Sequence, residues 1–214
     1  MTTVDANQKE FANPFGMDPD CENCPGLCDS RDRVVHGYGD VGGEFLVVGE
    51  RPTAAAERNG VPFTGAGGGE RVQSIFADLG FVRSEPDATD PDVQNVFFTN
   101  ITRCRHPERP PTDEEVATCE PFLNAEIRMI NPQIIVPVGE RPLRELAVAY
   151  TTRRPDSFDI EADHATTIRG RGFEIVPMCD PATMTDAAAA AFRDHMRENV
   201  LSRDYRQTKG RRNR

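Results

Sequence analysis

The segment CENCPGLCDSR sets Cys21, Cys24 and Cys28 close together, while Cys104 and Cys119 stand far along the chain. A CxxC pair joined by two distant thiols makes a four-ligand set, because thiolates select zinc or iron-sulfur clusters and four soft ligands satisfy either. The spacing does not choose between those metals, nor say which N-terminal thiol is left over. Cys119 also falls on an apolar helical pattern, where a thiol can serve as a small buried hydrophobe. Its company with the CxxC pair favours the metal.

The setting supports that choice. A chain of 214 residues is long enough for one sizeable core and longer than the small secreted domains that need a disulfide framework. The opening MTTVDANQKEF carries neither the basic start nor the apolar run of a secretion signal, and no stretch reaches the length of a membrane span. A soluble, cytoplasmic monomer is expected. Acidic residues outnumber basic ones 35 to 25, giving a formal charge of −10, and the only lysines are Lys9 and Lys209. That composition fits the cytosol of a salt-loving microbe, and high-GC codon usage would also produce it. Nucleic-acid binding by such a chain needs a local basic patch or strong screening. The tail RDYRQTKGRRNR is one such patch, although a solvated terminus would read the same way.

The elements that must position these groups alternate regularly. EFLVVGE (44–50) is a nearly continuous β-branched run, as a strand buried on both faces should be. Val72, Ile75, Phe76 and Leu79 recur at helical spacing before Gly80. VQNVFFTNI (93–101) is a second strand, and Thr112 with Glu115 forms a capping box for a helix facing inward through Val116, Cys119, Leu123, Ile127 and Ile130. QIIVPVG (133–139) and FEIVPM (173–178) are the third and fourth strands, with a short helix near 142–149 between them and an alanine-rich helix from Asp186 after them. The polar stretch 151–165 reads as a surface loop. Strands alternating with helices predict a three-layer α/β/α domain around a mainly parallel four-stranded sheet. Ligands of such sheets bind beyond the carboxyl ends of the strands, so the loops from Gly49, Asn100, Gly139 and Pro177 are the ones to watch. GAGGGER (65–71) lacks the Lys-Ser/Thr of a phosphate loop, and nucleotide binding is not expected there.

GERPTAAAERNGVPFTG (49–65), TNITRCRHPERPPTDEEVATCEPFL (99–123), NPQIIVPVG (131–139) and VPMCDPA (176–182) resemble, in order, the motif blocks of the iron-sulfur, family 4 uracil-DNA glycosylases. CENCPGLCDSR is similar to that family's N-terminal cysteine block, and the likeness runs from about residue 21 to about 200. It implies a DNA repair glycosylase that hydrolyses the N-glycosidic bond of uracil, or a related deaminated base, and leaves an abasic site. It further implies a [4Fe-4S] cluster on Cys21, Cys24, Cys104 and Cys119, with zinc as the alternative and Cys28 and Cys179 outside the set. Phe63 becomes the platform on which the base stacks, and Asn100 the amide that reads its edge. Glu50 and Glu57 become candidates to orient water or stabilise an oxocarbenium-like sugar, and Arg51, Arg105, His106 and Arg109 to contact phosphates of uracil-containing DNA.

Two departures mark the sequence. GERPT stands where the family has GEAPG, so Arg51 and Thr53 replace small residues near the base. Asp180, in CDPA, occupies the place of a family histidine that hydrogen-bonds the leaving uracil oxygen, and an ionised carboxylate only accepts. His106 and His164 are the available substitute donors. The departures keep a second expectation open, a non-catalytic iron-sulfur homologue that binds nucleic acid. The expected divisions are a flexible segment over 1–20, the domain over 21–201 and a basic tail over 202–214.

Overall fold

The structure, a computed structural model, describes residues 11–205. Its centre is built by the apolar runs. β2 (Phe45–Gly49) and β3 (Val96–Asn100) are buried at every residue, as is β4 (Ile134–Pro137), and β6 (Glu174–Ile175) continues the parallel set. Side chains alternate between two cores. Phe45, Val47, Phe98 and Val136 pack on one face with Phe76 and Phe192, while Leu46, Val48, Phe97 and Ile135 pack on the other with Leu123 and Leu146. The first core lies under α3 (Gly69–Asp78) and α7 (Asp186–His195), the second under α4 (Asp113–Ile130) and α5 (Glu140–Tyr150). Three layers result.

Among the described residues the sheet has six strands, in the order Tyr38–Gly39 (β1), β3, β2, β4, β6 and Ile168–Arg169 (β5), two more than the sequence predicts. The additions, β1 (Tyr38–Gly39) and β5 (Ile168–Arg169), are two-residue antiparallel edges, too short to leave an alternating pattern. The predicted strands and main helices are present with trimmed ends. Thr112 and Glu115 form the expected capping box, and Asn131 caps α4 at φ 53°. The short helices α1 (Pro25–Cys28), α2 (Ala54–Asn59) and α6 (Ile160–Asp163) add to them, and a π-helical turn, Met196–Leu201, follows α7. The stretch 151–165 is more ordered than a polar loop: Phe158 is buried, and the Arg153 guanidinium lies 4.4 Å from its ring centre.

Register decides where a site can form. Gly49 pairs with Asn100, Val48 with Pro137, and Val138 bridges to Met178, so the four parallel strands end level. At the chain's beginning, Phe11 packs on Tyr38 and Phe15 on Phe97. Of the basic tail, Arg203 pairs with Glu174, and Arg206, Lys209, Arg211, Arg212 and Arg214 lie outside the described residues. Among the described residues no helix is long and apolar enough to cross a membrane.

Candidate active site and thiol cavity

The paired ends of β2 and β3 bring three groups together. A Cβ on Gly49 would lie 2.5 Å from Asn100 Oδ1 and 2.8 Å from Phe63 Cζ, so only glycine leaves room for both side chains there. Asn100 is 3% exposed, and its Nδ2 is a buried donor without a hydrogen-bond partner. Such a group carries a desolvation cost that a ligand acceptor would remove. Phe63 sits at φ 55°, a left-handed conformation that a bulky residue adopts only when its surroundings impose it. Those surroundings are visible: buried Gln73 donates from Nε2 to the Phe63 carbonyl (3.0 Å), and a Cβ on Gly69 would meet the Phe63 carbonyl carbon at 2.7 Å. Gln73 is the polar residue that interrupts the apolar face of α3, and that interruption was its only sequence signal.

The glycine-rich segment after Phe63 is a packing surface. A Cβ on Gly68 would lie 2.8 Å from Pro181 Cγ and 3.0 Å from the Ala182 nitrogen, which brings the CDPA loop against the loop that carries Phe63. Asp180 is exposed, and its Oδ1 accepts from the Ala182 N–H at 2.9 Å. His164, an expected substitute donor, is fully engaged: Nδ1 accepts from the Cys179 N–H, which fixes the ring proton on Nε2, and Nε2 donates to the Ala188 carbonyl. His106 accepts the Glu108 N–H at Nδ1.

The other candidates divide between pocket and scaffold. Glu50 is partly exposed at the end of β2, 3.8 Å from Arg51 Nε. Arg51 donates to the carbonyls of His106 and Arg109 and thereby ties down the loop after Cys104. Glu57 points inward, accepting the Asp32 N–H at 3.1 Å and facing Arg105 at 3.7 Å. Arg109 makes a two-pronged contact with Glu115 (2.7 and 2.8 Å), which, with the Thr112 N–H, holds the Glu115 carboxyl down at about 2.

The thiols converge elsewhere. Cys21, Cys24, Cys104 and Cys119 line one cavity together with Arg31, Arg103 and Phe122, and Cys28 does not line it. Cys24 caps the start of α1 and Cys21 lies in the segment before it, the end of β3 leads into Cys104, and the inward face of α4 carries Cys119. Arg31 donates to the sulfurs of Cys28 (3.2 Å) and Cys104 (3.3 Å) and to the Cys21 carbonyl (2.6 Å). Burial pushes the Cys24 and Cys104 thiols up to about 11; neighbouring sulfurs add to this, while Arg31 opposes it at Cys104. Four soft donors around one cavity, with Cys24, Cys104 and Cys119 disfavoured by burial as isolated anions, fit a cationic metal centre that would supply the missing positive charge. Among the described residues no group of three or more His, Cys, Asp or Glu is already set to hold a single metal ion.

Strand ends that offer an aromatic ring and an unpartnered amide, in a three-layer α/β fold, form a pocket whose chemistry suits a planar polar ligand. Residues 36–201 match the model of the Uracil DNA glycosylase superfamily, and the chain belongs to that superfamily. Relatives named Type-4 uracil-DNA glycosylase include one from Sulfurisphaera tokodaii, 36% identical over 56% of this chain and 50% of its own length. Another, from Saccharolobus solfataricus, is 28% identical over 88% of this chain and 80% of its own length. A third, from Thermotoga maritima, is 35% identical over 58% of each chain. The match thus spans about half the length of some curated relatives and most of the length of others.

Proposed function

We propose that the chain is a DNA repair glycosylase that takes uracil, or a related deaminated base, out of DNA and hydrolyses its N-glycosidic bond to leave an abasic site. The observation that carries this reading is the Phe63 ring and the Asn100 amide converging at the bare α-carbon of Gly49, with Asn100 Nδ2 buried and unpartnered. An extruded pyrimidine needs a ring to stack on and an amide along its edge. Asn100 offers Nδ2–H to uracil O4 and Oδ1 to its N3–H, a pair that cytosine, with an amino group at C4 and no proton on N3, does not match. Similarity to relatives named Type-4 uracil-DNA glycosylase supports the same substrate.

Hydrolysis forms a bond from water oxygen to C1′ and breaks C1′–N1, whose electron pair leaves on the uracil ring, and the proton released by the water ends on that uracil anion. Glu50, partly exposed beside the pocket, is assigned to orient the water and offset positive charge on the sugar. Glu57, engaged with Asp32 and Arg105, braces the same loop from beneath. Arg105 and His106 supply the phosphate-facing surface, and Arg51 and Arg109 hold its backbone in place. Asp180 is engaged as an acceptor of the Ala182 N–H, and a carboxylate there gives the leaving uracil oxygen no donor, so turnover is expected to be slow for such a pocket.

Cys21, Cys24, Cys104 and Cys119 would hold a [4Fe-4S] cluster, which, when bound, cross-links the N-terminal segment to α4. Hydrolysis needs no electron from it. Brown protein with broad visible absorbance supports the cluster, and colourless protein with stoichiometric zinc overturns it. A cytoplasmic monomer acting on uracil-containing DNA completes the reading.

The decisive test is a uracil-containing oligonucleotide incubated with the protein at several salt concentrations up to molar KCl, then treated with alkali. Strand breaks that Asn100→Ala abolishes are expected. The engaged carboxylate of Asp180 favours a second reading, a DNA-binding homologue without catalysis. Breaks absent at every salt, but gained by Asp180→His, would establish that reading instead.

A further inference from the structure

One residue touches both the thiol cavity and the strand end. Arg103, next in the chain to Cys104, lines the cavity together with Cys104 and Cys119. Its guanidinium donates from Nη1 to the carbonyl of Asn100. Nη2 donates to Glu126 Oε2 at 2.7 Å, and the same carboxylate accepts from Thr99 Oγ1 at 2.7 Å and from the Gly37 N–H. Arg103 and Glu126 are 2% and 1% exposed. Gly37 admits the arrangement, since a Cβ there would lie 2.4 Å from Glu126 Oε1 and 2.3 Å from the Phe97 ring. The carboxylate therefore grips two consecutive positions at the end of β3: Thr99 through its hydroxyl, and Asn100 through Arg103.

Energetics argue that this pair specifies geometry. A fully buried ion pair is a weak net stabiliser, and well-packed apolar residues of similar volume often replace it without loss. Two charges kept at that expense, between two functional candidates, fix a backbone that apolar packing alone would leave freer. We infer that Arg103, braced by Glu126, is a positioning residue that couples the thiol site to Asn100, so that metal loading preorganises the amide that reads the base. The inference rests on the reading of Asn100 as the base reader. It does not depend on whether the metal is iron or zinc, because the coupling runs through the protein side chains.

The test uses the full-length, metal-loaded protein and an Arg103→Met, Glu126→Leu double variant that removes both charges together. Metal content, melting temperature, kcat and KM on a uracil-containing oligonucleotide, and inhibition by free uracil are measured. The double variant is expected to keep its metal and fold, with kcat and uracil inhibition each weakened about tenfold and KM for the oligonucleotide within about twofold. Unchanged kcat and uracil inhibition in that folded, loaded variant would overturn the coupling. Hydrogen exchange over residues 96–103, with and without chelator, gives a readout independent of turnover. Metal removal should speed exchange in the unmodified protein and make little difference in the double variant; no change in the unmodified protein overturns the coupling. If the double variant does not fold, this comparison in the unmodified protein and in Glu126→Gln, which keeps an acceptor for Arg103 and should retain the response, decides the matter. Coupling seen by exchange in a protein that never cleaves uracil-DNA would remove the glycosylase reading and leave the coupling standing.

Discussion

The thiol cavity and the strand-end pocket lie on either side of Arg103 and meet their polar requirements in opposite ways. Around the thiols the chain has gathered cations: Arg31 on two sulfurs, Arg103 beside Cys119, and Arg109 against the neighbouring Glu115. At the strand end it has left one buried donor, Asn100 Nδ2, with nothing to bond. A site meant to hold a permanent occupant surrounds its donors with charges that favour the bound form. A site meant to take up and release a substrate keeps the cost of desolvation open, and the substrate removes it.

That contrast predicts unequal damage. Cys104→Ala removes one of the four proposed ligands lining the thiol cavity and should bleach the protein and lower its melting temperature by about 10 °C or more, read by visible absorbance and calorimetry. Retention of full colour would remove Cys104 from the ligand set. Asn100→Ala should leave colour and melting temperature close to the starting protein and lower kcat roughly 10²–10³-fold, the usual cost of deleting a donor aimed at reacting charge. A melting temperature that falls as far as in Cys104→Ala would mean that the two regions are not separate. Asp180→His acts in the opposite direction: a donor beside the CDPA turn should raise kcat about tenfold, followed by alkali cleavage of a uracil oligonucleotide. Unchanged kcat would show that Asp180 stands clear of the leaving group.

The two regions were unequally legible in sequence. Spacing pointed to the thiols as a candidate four-ligand set while leaving the N-terminal members open until the resemblance named them, and the four parallel strands followed from apolar runs whose burial is continuous on both faces. Phe63 and Asn100 were found through resemblance, since a phenylalanine after a strand and an asparagine at its end carry no periodic signal. Their supports were harder to see. Glu126 sits on the same face of α4 as Leu123 and Ile127, and that mismatch was the visible trace of a buried partner, but nothing local names Arg103 as the partner. His164 shows the converse error: a histidine near the right loop looks available until its two nitrogens are found on the Cys179 and Ala188 backbones. α2 was not predicted, although Thr53 before three alanines and Gly60, a cap and a stop around good helix formers, carried its signal.

The smallest expected effect lies at the rim of the thiol region and concerns acid. Arg109 and the Thr112 cap hold the Glu115 carboxyl at about 2, below its ordinary value of 4.5. A carboxyl depressed on folding contributes stability that is fully present above its unfolded value and is lost as pH falls through its folded one. The Glu115 contribution should therefore be complete at pH 6 and drain away between about 4.5 and 2. Arg109→Gln removes the first cause of the depression, so the variant should melt a few degrees lower at pH 6, with the gap closing towards pH 2–3. Comparing the two proteins at each pH cancels whatever acid does to the thiols themselves. Because the Arg109 side chain is about one-third exposed, molar KCl should also narrow the gap at pH 6. A gap that stays constant from pH 6 to pH 3 would place the stabilising role of Arg109 in packing against the first turn of α4, and the cations gathered around the thiols would then be fewer than the structure suggests.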